Sequence, residues 1–242
     1  MKPRFFLLYI PLILIAVQCK CMSFTFGQLS DTSLFKIGKL LHKDDFSTKN
    51  EHWFTEFEIP EQSFLNINEG QLELTAKKGA TVWFKEKLSG DYMISYDALL
   101  VDKGGACDRI SDLNLFWMAT HPNGTFFNLD GKFPSYDMLH LYYAGIGGNE
   151  NTTTRFRKYT GHAGDKAVIQ EYTDSSHLLK GNTWYKIQLV CLKGRSMVYV
   201  NNRLFFNAKD SFPYTEGYFG FRTTRSHILF DNFKVYAIKS KL

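Results

Sequence analysis

The segment Gly145–Tyr159 reads Gly-Ile-Gly-Gly-Asn-Glu-Asn-Thr-Thr-Thr-Arg-Phe-Arg-Lys-Tyr. A glycine-rich turn leads into an extended stretch. Side chains alternate across a strand, so Thr153, Arg155, Arg157 and Tyr159 share one face. That face carries two permanent cations, a hydroxyl and a phenol, with Asn149 in the turn before it. Guanidinium forks bind carboxylates through paired hydrogen bonds. The face suits a cleft that grips a polar or anionic ligand, such as a sugar acid or a sulfated sugar. A solvated edge strand with its own salt bridges would carry the same charges, and the opposite face (Thr152, Thr154, Phe156, Lys158) is also mostly polar.

Other residues could join such a cleft. His140 lies in Met138-Leu139-His140-Leu141-Tyr142-Tyr143, one strand before the arginines, and shares a face with Tyr142. Histidine moves protons near neutral pH, although a lone His among apolar residues is as readily a satisfied core group. Asp108, Arg109, Asp112 and Asn114 form a polar head on a strand that turns apolar at Phe116. Asp112 could act as a general acid or base, and Asn114 could anchor hydroxyls. Asp108 with Arg109 reads instead as a clamp on the Gly104-Gly105 loop. Arg222 is a further member for the cationic cluster. Trp83 and Tyr142 are candidate sugar-stacking rings, against a background of 22 Phe and 13 Tyr that makes any one ring a core candidate too.

These groups need strands to hold them. From Asp44 onward, extended runs alternate with turn signals such as Asn68-Glu69-Gly70, Ser89-Gly90, Pro122-Asn123-Gly124 and Asn201-Asn202. The spacing predicts strands at 52–59, 64–67, 71–76, 80–87, 91–101, 112–119, 138–145, 152–159, 167–171, 184–192, 196–200, 203–207, 217–223 and 227–238. No amphipathic helix interrupts them. That pattern is an all-β sandwich or barrel.

The chain has 242 residues, 44% of them hydrophobic, enough for one sizeable core. Lys2 and Arg4 precede an apolar run from Phe5 to Val17, which reads as an export signal over residues 1–27. The run is shorter than the ~20 residues of a membrane span. Two processing routes are readable: acylation of Cys19, or ordinary cleavage after Cys21 or Gly27. The expected location is periplasmic, or at the cell surface as a lipoprotein, with no membrane contact beyond that anchor. Residues 28–43 read as a leader and 44–242 as the domain. The signal supplies three of the five net positive charges, so the remainder is too weakly basic to argue for nucleic acid. Cys107 and Cys191 could form a bridge, but Cys191 sits in an apolar strand pattern and reads as a small buried hydrophobe. There is no zinc spacing, no phosphate loop and no Ser-centred elbow.

The order Trp184-Tyr-Lys-Ile, Val198-Tyr-Val-Asn-Asn, Gly217-Tyr-Phe-Gly-Phe-Arg and Phe230-Asp-Asn-Phe-Lys-Val resembles the concanavalin A-like (LamG/glucanase) jelly roll, opened by Asp44-Asp45-Phe46 with Trp53. More narrowly, residues 44–238 resemble the bacterial domain of unknown function 6250. The resemblance lies in Gly79–Phe84, Asp108–Ala119 and Tyr142–Tyr159. It implies an all-β jelly roll of two antiparallel sheets and a setting among carbohydrate-degrading systems. More distantly, the chain is similar to a sandwich family with 3-keto-glycoside hydrolase activity. The superfamily also implies either no cofactor or a structural calcium near Asp45 and Asp231, two carboxylates on neighbouring strands.

The expected function is that of an exported protein acting on or binding an oligosaccharide. The catalytic version cleaves a glycosidic bond with His140, Tyr159 and Asp112, as a hydrolase of a keto glycoside or as a uronate lyase. Its binding residues would be Arg155, Arg157, Arg222, Asn114, Trp83, Tyr142 and Asn149. The alternative is a glycan-binding protein without turnover.

Overall fold

The computed structural model describes residues 33–47, 51–124 and 128–241. The segment 1–27 read as an export signal, with Cys19 and Cys21, lies outside the described residues. In chain order the strands are β1 Phe35–Asp44, β2 Trp53–Phe57, β3 Phe64–Asn68, β4 Gln71–Thr75, β5 Gly79–Phe84, β6 Leu88–Ser89, β7 Tyr92–Leu100, β8 Leu113–Thr120, β9 His140–Gly147, β10 Thr153–Thr160, β11 Lys166–Tyr172, β12 Trp184–Leu192, β13 Arg195–Val200, β14 Arg203–Lys209, β15 Glu216–Thr224 and β16 His227–Ser240.

They pair antiparallel in two sheets. The first runs β14-β13-β12-β7-β16-β4-β3, with β1 also on β16. The second runs β11-β10-β9-β8-β15-β5-β2, with β6 beside β15. Every strand expected from the alternation is present. Part of the segment set apart as a leader forms β1, paired with β16 from Phe35↔Ser240 to Asp44↔Phe233.

Period-two alternation builds the core. The second sheet sends Val82, Leu115, Trp117, Ala144, Phe156 and Phe221 inward, and the first answers with Leu74, Tyr96, Leu189, Val198 and Phe230. Phe221 and Phe230 stack across the gap with centroids 4.0 Å apart. Aromatic pairs of this kind add about 1 kcal/mol beyond their buried area. The opening Asp44-Asp45-Phe46 closes onto this core: Phe46 is buried, and Trp53 Nε1 donates to Asp44 at 2.9 Å.

Cys107 and Cys191 are both free thiols. Cys191 is the buried hydrophobe, and burial pushes its thiol up to about 12.

The outer face of the second sheet is partly covered as well. The segment before β9, with a 3-10 helix at Phe133–Met138, lies over it. It buries a second hydrophobic cluster that includes Trp83, Phe116, Tyr136, Leu141, Tyr143 and Tyr159. This explains why β5 and β8 read as apolar on both faces.

Candidate functional site in the second sheet

Two side-chain rows cross the outer face of the second sheet. Strand register puts Glu56, Thr81, Arg222, Asn114, Gly145, Arg155 and Glu171 side by side on β2, β5, β15, β8, β9, β10 and β11. Two residues along, the next row is Phe54, Trp83, Gly220, Phe116, Tyr143 and Arg157. One row is polar and the other is aromatic, ending in a guanidinium.

The cover closes over the β5 end of both rows and leaves the β10 end open. What remains is a groove of about 420 Å³. Its lining includes Asp112, Asn114, Phe133, Tyr143, Arg155 and Arg157. Arg109, Asn149, Glu150, Thr153 and Lys166 also line it.

Local backbone geometry shapes this groove. After Gly147, the residues Asn149, Glu150 and Asn151 all take left-handed φ values of 51°, 55° and 59°. Asn accepts that region readily, but Glu150 pays a strain cost there. Asn151 is fixed by Leu179, accepting from its N–H and donating to its carbonyl, both at 2.9 Å. Asn149 Nδ2 donates to Thr153 Oγ1 at 3.3 Å. Gly145 is required beneath Tyr143: a Cβ there would fall 2.1 Å from the Tyr143 hydroxyl.

Charges around the groove are mostly paired. Arg109 holds both groove carboxylates, donating to Glu150 at 2.6 Å and to Asp112. Asp112 also accepts from Asn114 Nδ2 and Ser111 Oγ, both at 3.3 Å. Arg155 pairs with Glu171, and Lys166 pairs with Asp137 at 2.8 Å. Arg157 differs. Its Nη1 donates to the Lys166 carbonyl at 3.1 Å, and it makes no ion pair among the described residues. Asn114 is buried, and its Oδ1 has no partner among the described residues.

The sequence-derived candidates separate on this map. Arg155, Arg157, Asp112, Asn114 and Asn149 meet in the groove. Arg222 lies under the cover with 1% exposure, donating to the Gly131 carbonyl at 2.6 Å. Its guanidinium sits 5.3 Å from the Phe133 ring centre, and burial depresses its pKa. It is a buried support, not a ligand contact.

Tyr159 is wholly buried, its hydroxyl has no partner among the described residues, and burial raises its phenol well above its ordinary value. That environment is wrong for a base that must reach a substrate. Trp83 is also wholly buried, with Nε1 on Glu56 at 2.7 Å, so it cannot stack a sugar. Tyr142 points between the sheets, stacked on Trp117, with its hydroxyl on Asp210 at 2.5 Å.

His140 lines a different pocket, against Tyr214 at 5.2 Å. The hairpin register explains this. Pairing Arg155 with Gly145 puts Tyr143 and Arg157 on one face and His140 on the other.

The calcium reading at Asp45 and Asp231 does not fit. Asp45 is engaged by Lys43 at 2.5 Å and by Ser47 Oγ at 2.7 Å. Asp231 accepts from the Asn232 N–H at 2.6 Å, and no cluster of three acidic, His or Cys side chains suited to a cation occurs among the described residues.

Sequence reasoning missed Glu56, Phe133, Glu150 and Lys166. Phe133 sits in the irregular cover, where no periodicity signals burial. Tyr143 was within reach, because counting through the 147–151 turn pairs it with Arg157.

Asp108 clamps its loop as expected, but with a different partner. It accepts from the Lys103 and Gly105 N–H groups at 2.9 and 3.0 Å and from His227 Nδ1 at 3.0 Å. Burial alone would raise its pKa, but these donors hold it below the ordinary value. A group depressed in the folded state stabilises above its unfolded pKa, and loses that contribution as pH falls through the folded value. Asp108→Asn is therefore expected to cost about 1–2 kcal/mol at pH 7. The gap from wild type should narrow below about pH 4 in urea denaturation; a gap independent of pH would count against this role.

Comparison with known proteins places this geometry. The family model described as Domain of unknown function (DUF6250) matches residues 74–233. No curated protein matches the sequence. A protein of unknown function with a galectin-like fold from Bacillus subtilis is similar with TM-score 0.68 and 16% identity, covering 85% of this chain and 99% of that one. An endo-beta-1,3-glucanase from Pyrococcus furiosus gives TM-score 0.56 at 13% identity, covering 84% and 95%. The carbohydrate-binding module CBM66 from Bacillus subtilis gives 0.53 at 18%, covering 78% and 96%. At these identities the likeness establishes the fold: a concanavalin A-like, galectin-like sandwich whose structural neighbours include glucanases and carbohydrate-binding modules.

Proposed function

The chain belongs to the family described as Domain of unknown function (DUF6250), and from that premise we propose that it is an exported protein that binds an oligosaccharide in the groove beside Phe133, without cleaving it. The carrying observation is the composition of that groove: the Phe133 and Tyr143 rings stand next to Asn114, Asn149 and Arg157. Sugars present apolar C–H faces and a rim of hydroxyls. A ring beside amides and a guanidinium matches both.

Binding is favoured over turnover by the state of the candidate proton-transfer groups. Arg109 holds both groove carboxylates, His140 lines another pocket, and the Tyr159 hydroxyl is buried. A glycosidase needs one carboxyl free to donate a proton and another free to attack or activate water. A lyase needs an unencumbered base. The charged and then apolar N-terminus supports export.

The test is calorimetry on a broad panel of oligosaccharides, with product analysis of the same mixtures. Expected are binding without product and roughly a tenfold loss of affinity in Phe133→Ala. Released product would replace binding by catalysis. Absence of any glycan binding would end the reading.

A further inference from the structure

Arg157 sets a more specific requirement on the groove, one that rests on the oligosaccharide-binding reading. Arg109, Arg155 and Lys166 at the groove each have a carboxylate partner. Arg157 is half-buried on the same surface, and its one hydrogen bond among the described residues is to the Lys166 carbonyl. A partly desolvated guanidinium without a counter-ion is costly, so it is the place where an external anion gains most.

Asn114 cannot share this role: it is 3% exposed, with Nδ2 spent on Asp112 at 3.3 Å and Oδ1 buried. The groove therefore offers its open donors at Arg157. Tyr143 is level with Arg157, and its hydroxyl reaches over Gly145.

We propose that Arg157 binds the carboxylate of a uronic acid residue of the oligosaccharide. A carboxylate fits this arrangement better than a sulfate ester. The donor set is planar: one guanidinium, with one nitrogen already turned to the Lys166 carbonyl. It matches a planar bidentate acceptor. The Lys166 ammonium that could help close a tetrahedral cage is held by both oxygens of Asp137, at 2.8 and 2.9 Å.

The experiment uses calorimetry with three sets of probes. The first is uronic acid oligosaccharides of several linkages; the second is the same compounds after carboxyl reduction to neutral sugars; the third is sulfated galactose oligosaccharides. The expected result is preference for at least one acidic compound over its reduced counterpart. Arg157→Ala should reduce that affinity about thirtyfold and affinity for the reduced compound by a much smaller factor, so that the preference for the acidic compound is lost. Arg157→Lys keeps the charge without the fork and should recover only part of it. Thermal melts confirm that each variant is folded. Equal binding of acidic and reduced compounds, or preference for the sulfated set, overturns the uronate assignment while leaving oligosaccharide binding intact. Failure of every glycan to bind removes both.

Discussion

Glu56→Ala is expected to destabilise the protein by about 3–5 kcal/mol. Glu56 lies at the covered end of the polar row and is 2% exposed. Its Oε2 accepts from Trp83 Nε1 at 2.7 Å and from the Tyr136 hydroxyl at 2.8 Å. Its Oε1 accepts from the Leu129 N–H at 2.6 Å. Two of these donors belong to the cover and one to the sheet, so this carboxylate ties the two layers together. Alanine would strand three donors in a space that excludes water, and each stranded group costs about 1–3 kcal/mol, offset in part by no longer burying a charge.

Glu56→Gln separates the contributions. A glutamine oxygen can keep the Trp83 and Tyr136 bonds, but its amide then faces the Leu129 N–H as a second donor. The expected loss is about half that of the alanine variant. Urea denaturation followed by tryptophan fluorescence measures both, with Trp83 at the joint among the four tryptophans that report. A loss under about 1 kcal/mol for Glu56→Ala would mean that the cover is anchored elsewhere. Because the cover carries Phe133, Glu56→Ala should also weaken glycan binding, although Glu56 does not line the groove.

This joint marks where the sequence stops being legible. Alternation and turn residues disclose the strands, because a half-buried strand writes its register into every second residue. β1 escaped this reading because its burial scarcely alternates: it runs along β16 with register shifts at Leu40 and leaves Leu40 and Leu41 exposed. Arg155 and Arg157 were legible as groove residues because both lie on one strand face.

Contacts that depend on an irregular segment were not legible. Trp83 and Tyr159 sit on the groove's own face, as alternation requires, but the cover over them has no period to announce it. The displacement of His140 has a different origin. Its face follows from hairpin register, which strand-by-strand reading does not use. The polar row itself crosses seven strands drawn from the whole sequence, so only the sheet order assembles it.

The close approach of the cover to the sheet leads to the second large effect. Gly131→Ala is expected to cost about 3 kcal/mol or more. Gly131 has φ 74°, and a Cβ there would lie 2.4 Å from the Glu58 nitrogen and 2.5 Å from the Phe57 carbonyl carbon. These are backbone atoms of the β2 end and cannot swing aside. Gly79 faces it under the same constraint: its Cβ would lie 2.2 Å from the Gly131 oxygen. The paired glycines let two backbones touch, and that contact delivers the Gly131 carbonyl to buried Arg222. Lifting the cover would remove an acceptor from a guanidinium that has almost no access to water.

Gly70→Ala supplies the control. Gly70 has nearly the same φ, 74°, but nothing lies within 4 Å of its Cβ position. It should show the left-handed penalty alone, about 1 kcal/mol. Thermal unfolding gives the difference between the two variants, and trypsin gives its location, since Lys132 follows Gly131 directly. Faster cleavage after Lys132 in Gly131→Ala, with Gly70→Ala unchanged, would trace the loss to the lifted cover. Equal destabilisation by the two substitutions would show that backbone conformation, not the close approach of cover and sheet, sets the cost.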